Sequence, residues 1–284
     1  MTDFELVSGL AVAPEALHAA SGAAFSDYLT GPVDMPFELW PNFLVRHGMD
    51  LSLSRVAVRD GMPVAFAMVA PRPTLRRWRV AGMGAIPAAR GTGAAPALLD
   101  DLIARATEAG LAAVELECFA QNERAQRLYR GRGFEPRAEL AGYDLAAEVA
   151  LPPAPSQDVH DLPREQAFAW LDDAQRTIPD LPLPLTTTTL SATTRPVRFW
   201  QRGAALLAWS DTGEGPIMIH ALIDRGTAQE DGRILVAAMR ATRPGAAVTA
   251  PAVQRDDFCG AALRSLGFER QKFHQLMMVR ALRS

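Results

Sequence analysis

Apolar residues recur along this chain with two periods, near two and near 3.6, and each change of period marks an element. Phe4 to Leu10 reads as a strand, and Pro14 to Leu29 as a helix with proline in its first turn. A second helix is expected from Pro36 to Met49, with Phe37, Trp40, Leu44 and Val45 on one face; Pro41 should kink or split it. Leu51 to Val58 and Pro63 to Val69 read as strands joined by Asp60-Gly61, a dipeptide suited to a tight hairpin turn. Arg77 to Ile86 continues the sheet. Thr92 to Ala109 is a helix with Leu98, Leu99, Leu102 and Ile103 on its apolar face, ended by Gly110. Ala112 to Phe119 is a strand and Glu123 to Arg130 a short helix. The order implies a mixed α/β domain.

The pattern breaks at Leu151-Pro152-Pro153-Ala154-Pro155-Ser156, which cannot continue a helix. With 284 residues there is room for two domains, and the break suggests 1–147, a linker over 148–161, and 162–284. The second part echoes the first at a spacing of 134 residues: Gly267-Phe268-Glu269 falls on Gly133-Phe134-Glu135, and Ala246-Ala247-Val248 on Ala112-Ala113-Val114. An apolar fraction of 49% permits a sizeable core, and a net charge of −3 argues against nucleic acid as a partner. Cys118 and Cys259 have no metal or redox spacing and read as reduced, buried thiols; His160, His220 and His274 suggest no metal either. No apolar run approaches a membrane span and no basic leader opens the chain, so a cytoplasmic protein is expected.

Two segments carry chemistry. Arg90-Gly91-Thr92-Gly93-Ala94-Ala95 joins a strand to a helix. Helix-start amides and the helix dipole favour a phosphate there, and the glycines let backbone approach it. The segment lacks the third glycine of a dinucleotide loop and the Gly-Lys-Ser/Thr of a Walker loop. Gly82-Met83-Gly84 lies inside a strand, where glycine admits close approach of another chain or a ligand. Further on, Asn122 suits a helix N-cap, and Ala125 and Tyr129 share its face; Tyr129 also suits a core position with its hydroxyl at the rim.

Arg90-x-x-Gly93-x-Ala95 resembles the R/Q-x-x-G-x-G/A signature of the GNAT superfamily of N-acetyltransferases. Asn122-x-x-Ala125-x-x-Leu128-Tyr129-x-x-x-Gly133-Phe134 resembles their second cofactor motif. The resemblance covers about residues 1–147. It implies two tandem GNAT folds, each a mixed, mostly antiparallel sheet flanked by helices, with acetyl-CoA as acetyl donor. The loop Arg90, Gly91, Thr92, Gly93, Ala94 and Ala95 would then hold the pyrophosphate. Met83, Gly84, Ala85 and Ile86 would pair with the pantetheine arm and supply oxyanion donors. Asn122 and Ala125 would flank the arm, and Tyr129 would protonate the departing thiolate.

An ammonium must lose its proton before it attacks, and Glu117, on one strand face with Glu115, is a candidate base. A Glu twelve residues before the Tyr also occurs in the branch of the family that acetylates protein N-termini. Tyr28, Phe37 and Trp40, with Asp27, Asp34 and Glu38, suit a cationic acceptor; Glu115 would belong to the same pocket. The same aromatics also suit helix packing. In the second part the chemistry is missing: Arg225-Gly226-Thr227-Ala228 runs into Gln229-Glu230-Asp231, and the positions of Glu117, Asn122 and Tyr129 hold Pro251, Asp256 and Leu263. A degenerate second domain without its own CoA site is expected. The expected function is direct acetyl transfer to a small-molecule amine, without metal, as a monomer or homodimer. Protein N-terminal acetylation and a non-catalytic CoA sensor are the alternatives.

Overall fold

The computed structural model describes residues 3–32, 35–153 and 158–282. Asp34 of the expected acceptor cluster and positions 154–157 of the expected linker lie outside them. The chain divides into two compact units, 1–136 with 278–284, and 137–277.

In the first unit, β1 (Glu5–Ser8) leads through α1 (Pro14–Ala24) and α2 (Trp40–Arg46) to the hairpin β2 (Asp50–Arg59) and β3 (Met62–Arg72). Asp60 and Gly61 adopt φ of 50° and 75°, which makes the hairpin turn. Then follow β4 (Arg77–Ala85), α3 (Ala94–Glu108), β5 (Ala113–Phe119) and α4 (Glu123–Arg130). Neighbours in the sheet run β1-β2-β3-β4-β5, antiparallel except for β4 and β5, which are parallel. Phe66 and Met68 of β3 pack with Leu17 and Ala24 of α1 and Trp40 of α2 in one core cluster. Pro41 does not kink a long helix. It occupies the first turn of α2, where its missing N–H has no partner to lose, and a separate 3-10 turn spans Phe37–Leu39.

His47 closes α2 with its ring 4.4 Å from that of Phe43. Burial, then the charges of Arg79 and Arg46, lower its pKa to about 4. The folded chain thus holds His47 neutral while the unfolded chain protonates it near pH 6.5. This contribution is intact above pH 6.5 and is lost as pH falls toward 4, on the order of 3 kcal/mol in all. Urea midpoints are expected to fall across that window, and less steeply in His47→Gln; equal slopes would exclude His47 as the cause.

The second unit begins with β6 (Glu135–Leu145), from Arg137 onward. It continues with β7 (His160–Asp161), α5 (Arg164–Thr177), α6 (Thr187–Ser191), β8 (Arg198–Arg202), β9 (Ala205–Ser210) and β10 (Ile217–Asp224). After these come α7 (Glu230–Ala241), β11 (Val248–Arg255), α8 (Asp256–Ser265) and β12 (Glu269–Arg270). Its strand order is β6-β11-β10-β9-β8-β7, and β10 and β11 are the parallel pair. The last strand, β13 (Gln275–Ala281), returns to the first unit from Met278 onward. There Leu282 donates its amide to Ala112 O at 3.0 Å and Arg280 donates to Arg132 O. The units therefore divide at Pro136, not at residue 147. The strand from Glu135 pairs with β11, far along the chain.

Each unit repeats one detail. In the β3–β4 ladder Met68 faces Gly82 and Val69 faces Val80, so Ala81 is an extra, bulged residue. In the β9–β10 ladder Trp209 faces Ile219 and Ala208 faces Ala221, so His220 is extra. Superposing the parallel pairs Trp78↔Val114 and Ile217↔Val248 places Ala81 on His220 and Met83 on Leu222. The repeat is thus structural, down to the bulge that turns the strand aside.

Candidate active site

β4 and β5 pair only from Arg77↔Ala113 to Val80↔Leu116, although β4 runs on to Ala85 and β5 to Phe119. Beyond the bulge at Ala81 the two strands part, leaving one backbone edge of β4 available to a ligand strand. A cavity of about 470 Å³ opens there, within the first unit.

Its wall gathers most of the residues expected from the sequence. Met83, Gly84 and Ala85 line it from β4; Arg90, Gly91, Gly93, Ala94 and Ala95 line it from the loop and the start of α3. Asn122, Ala125 and Tyr129 line it from α4. Ile86 and Thr92 are tied elsewhere: Ile86 donates its amide to Val64 O at 3.0 Å, and the Thr92 hydroxyl donates to Ala89 O at 2.8 Å.

The loop leaves the start of α3 open. Gly91 and Gly93 have φ of 83° and 88°, a region that costs an L side chain about 1–2 kcal/mol. Gly93 caps α3 with no side chain bonded to the first amides, so those donors and the positive end of the helix dipole face the cavity wall. Of the two roles open to Arg90, adding charge or bracing the loop, its bonds are those of a brace. Its guanidinium donates to both Asp27 oxygens at 2.5 and 2.6 Å, to Ala24 O at 3.2 Å and to Ala85 O at 3.4 Å. It clips the C-terminal end of α1 to the loop and holds Asp27 below the usual carboxylate range. Arg124, on the first turn of α4, is the exposed cation of the wall. Charge on an amphipathic helix was the only sequence signal for it.

Gly84 is small for a reason internal to the fold: a Cβ there would lie 2.9 Å from Ala24 Cβ and 3.1 Å from Phe66 Cζ. Close approach of α1, as much as of a ligand, requires this glycine. Asn122 caps α4, its side-chain oxygen accepting from the Ala125 amide at 3.1 Å, which leaves its amide nitrogen for the cavity.

Tyr129 is buried, with its ring 5.9 Å from that of Phe134. Burial, then Cys118 and Tyr28, push its pKa well above the ordinary phenol value. Tyr28 lines the same cavity between the rings of Phe25 and Phe119, and burial raises it to about 12. Cys118 is a buried free thiol raised to about 11, and Cys259 is also free and buried.

The expected acceptor residues divide. Tyr28 reaches the cavity. Phe37 and Trp40 instead set their rings edge-on to His18 at 5.4 and 5.3 Å, and Trp40 is core. Glu115 is fully buried between Arg72 at 2.5 Å and Arg77 at 3.1 Å, so the structure places it in an internal ion-pair cluster and not at the cavity. Glu117 is also off the cavity wall. It stands just past the last β4–β5 pair, both oxygens accepting from Arg79 at 2.7–2.9 Å. Leu128 of the second motif also lines the wall, as do Phe25 and Leu29, which were not singled out by sequence.

Residues 14–134 match the model of the acetyltransferase (GNAT) family. No curated protein matches the chain. Across its length the fold is similar to a GCN5-related N-acetyltransferase from Sphaerobacter thermophilus, 17% identical, with TM-score 0.62 over 100% of this chain and 97% of that one. A second GCN5-related N-acetyltransferase, from Anabaena variabilis, is 16% identical, with TM-score 0.64 over 98% and 72%. A candidate acetyltransferase from Pyrococcus horikoshii is 13% identical, with TM-score 0.65 over 100% and 91%. At these identities the likeness is one of fold. Among the described residues no helix is long and apolar enough to cross a membrane.

Proposed function

Residues 14–134 belong to the acetyltransferase (GNAT) family, the chain is an N-acetyltransferase with acetyl-CoA as donor, and from this premise we propose that it acetylates a small-molecule amine directly, in a ternary complex. The observation that carries the proposal is the meeting, in one cavity, of an uncapped helix start, the free edge of β4 and the Tyr129 hydroxyl.

Acetyl-CoA supplies an activated thioester that a neutral amine attacks, expelling the CoA thiolate. The chain's own part is binding, orientation and proton handling. The amides from Gly93 to Ala95 bind the pyrophosphate, with Arg124 as added charge. Met83, Gly84 and Ala85 hold the pantetheine arm as an added strand and turn amides toward the developing oxyanion. Asn122 donates to the arm. Tyr129 hydrogen-bonds the leaving sulfur. Glu117 receives the ammonium proton through water, its carboxylate oriented by Arg79. Tyr28, with Phe25 and Leu29, forms the wall beside the acceptor.

Protein N-terminal acetylation is the second reading, favoured by the spacing of Glu117 and Tyr129. Thiol release from acetyl-CoA with a panel of small primary amines and N-terminal peptides separates the two. Turnover on small amines, with peptides inert, is expected; efficient turnover on peptides alone would reverse the choice. Binding of acetyl-CoA with no turnover on either would leave a sensor.

A further inference from the structure

The second unit contains the same parting of parallel strands as the first, and its own side chains fill it. β10 and β11 pair only at Ile217↔Val248 and Met218↔Thr249, while β10 runs on to Asp224 and β11 to Arg255. In the first unit the corresponding edge, around Met83, faces the cavity. Here Gln254, fully buried on β11, reaches across with both ends of its amide. Its Oε1 accepts from Leu222 N at 3.1 Å and its Nε2 donates to His220 O at 3.0 Å. Leu222 and His220 are the counterparts of Met83 and Ala81. The Gln254 amide therefore makes the backbone bonds that an extended amide ligand would make.

The helix start is filled in the same way. Asp224, buried at the end of β10, accepts from Gly226 N and Gly232 N, both at 2.7 Å. Gly232 lies in the first turn of α7, the counterpart of α3. A Cβ on Gly232 would stand 3.3 Å from the Asp224 carboxylate, so this glycine admits the anion closely. Between α7 and α8, Gln229 accepts from Ala262 N at 3.1 Å and donates to Asp257 O at 2.9 Å. By the 134-residue repeat Ala262 corresponds to Leu128, a wall residue of the first cavity. Glu230 and Asp231 also lie in the first turn of α7, but the carboxylate that bonds a helix-start amide is that of Asp224.

We propose that the second unit is an acetyltransferase fold liganded by its own side chains, with the Gln254 amide in place of a pantetheine-like arm and the Asp224 carboxylate in place of a phosphate. The closure is specific: Gln254 and Asp224 each satisfy a buried amide, of Leu222 and of Gly232, that would otherwise lack a partner. This inference rests on the reading of the first cavity as a CoA site, and its test separates the two.

Removing the internal anion should create an anion site. In the full chain, Asp224→Ala is expected to lower the melting temperature by roughly 5–10 °C, since one buried and one half-buried amide lose a charged acceptor. Inorganic phosphate at millimolar concentration should then raise the variant's melting temperature by several degrees more than the wild type's, since the first unit's helix start is the same in both. A folded variant that phosphate moves no more than the wild type would overturn the proposal. If Asp224→Ala does not fold, Asp224→Asn, which keeps one acceptor for the two amides, is read by the same difference. Calorimetry on the wild type gives the second arm. One acetyl-CoA per chain is expected; two would overturn the self-liganded unit. None would overturn the reading of the first cavity and leave the phosphate result to decide on the second unit.

Discussion

Gly93→Val is expected to raise the acetyl-CoA dissociation constant by at least about 100-fold, close to 3 kcal/mol. Two costs add. At φ of 88° a β-branched residue is strained by about 1–2 kcal/mol, which the chain relieves by turning the loop and with it the first amides of α3. The added methyl groups also enter open space, since a Cβ at Gly93 meets nothing within 4 Å, and that is where a pyrophosphate would approach the helix start. Calorimetric titration with acetyl-CoA checks the number, and a melting curve of the free variant separates lost binding from lost folding. Binding within threefold of wild type would place the phosphates elsewhere.

Tyr129→Phe is expected to lower kcat by roughly ten- to a few hundred-fold with little change in acetyl-CoA affinity. The limit follows from acidities. A thiol ionises near pH 8.5 and an ordinary phenol near 10, so full protonation of the thiolate is uphill by roughly 2 kcal/mol before burial is counted. Burial raises Tyr129 further, which makes complete transfer less favourable still and keeps the phenol protonated throughout the assay range. Its contribution is then a hydrogen bond to charge building on sulfur, worth a partial and not a total loss. The same shift predicts that kcat/KM rises with pH as the amine deprotonates, with no alkaline fall from Tyr129. Single-turnover thiol release checks both; an unchanged rate would remove Tyr129 from the reaction.

The first unit's site was legible because its signals are local. Gly91, Gly93, Asn122 and Tyr129 announce a loop, a cap and a helix face within a few residues, and the hairpin at Asp60-Gly61 is fixed by backbone conformation alone. What the sequence concealed depends on contacts between distant segments. Arg90 looks like a phosphate ligand until Asp27, at the end of another helix, takes both its arms. Glu115 and Glu117 share a strand face as expected, but arginines from β3 and β4 hold them. Phe37 and Trp40 have an aromatic character that suits a cation or a core equally, and His18 decides for packing. The strand beginning Glu135-Pro136-Arg137 hides behind charge and proline, because its partner β11 lies more than a hundred residues further along the chain. Asp224 and Gln254 carry no motif; only the parting of β10 and β11 gives them meaning.

The central claim is that the cavity at the parting of β4 and β5 is where acetyl-CoA is bound and spent. Amine-dependent release of CoA thiol by the intact chain, measured side by side for wild type and Gly93→Val at subsaturating acetyl-CoA, tests it most directly. The account predicts turnover by the wild type that falls at least about 100-fold in the variant while the melting temperature stays within a few degrees. Thiol release by a folded Gly93→Val chain at the wild-type rate would contradict it.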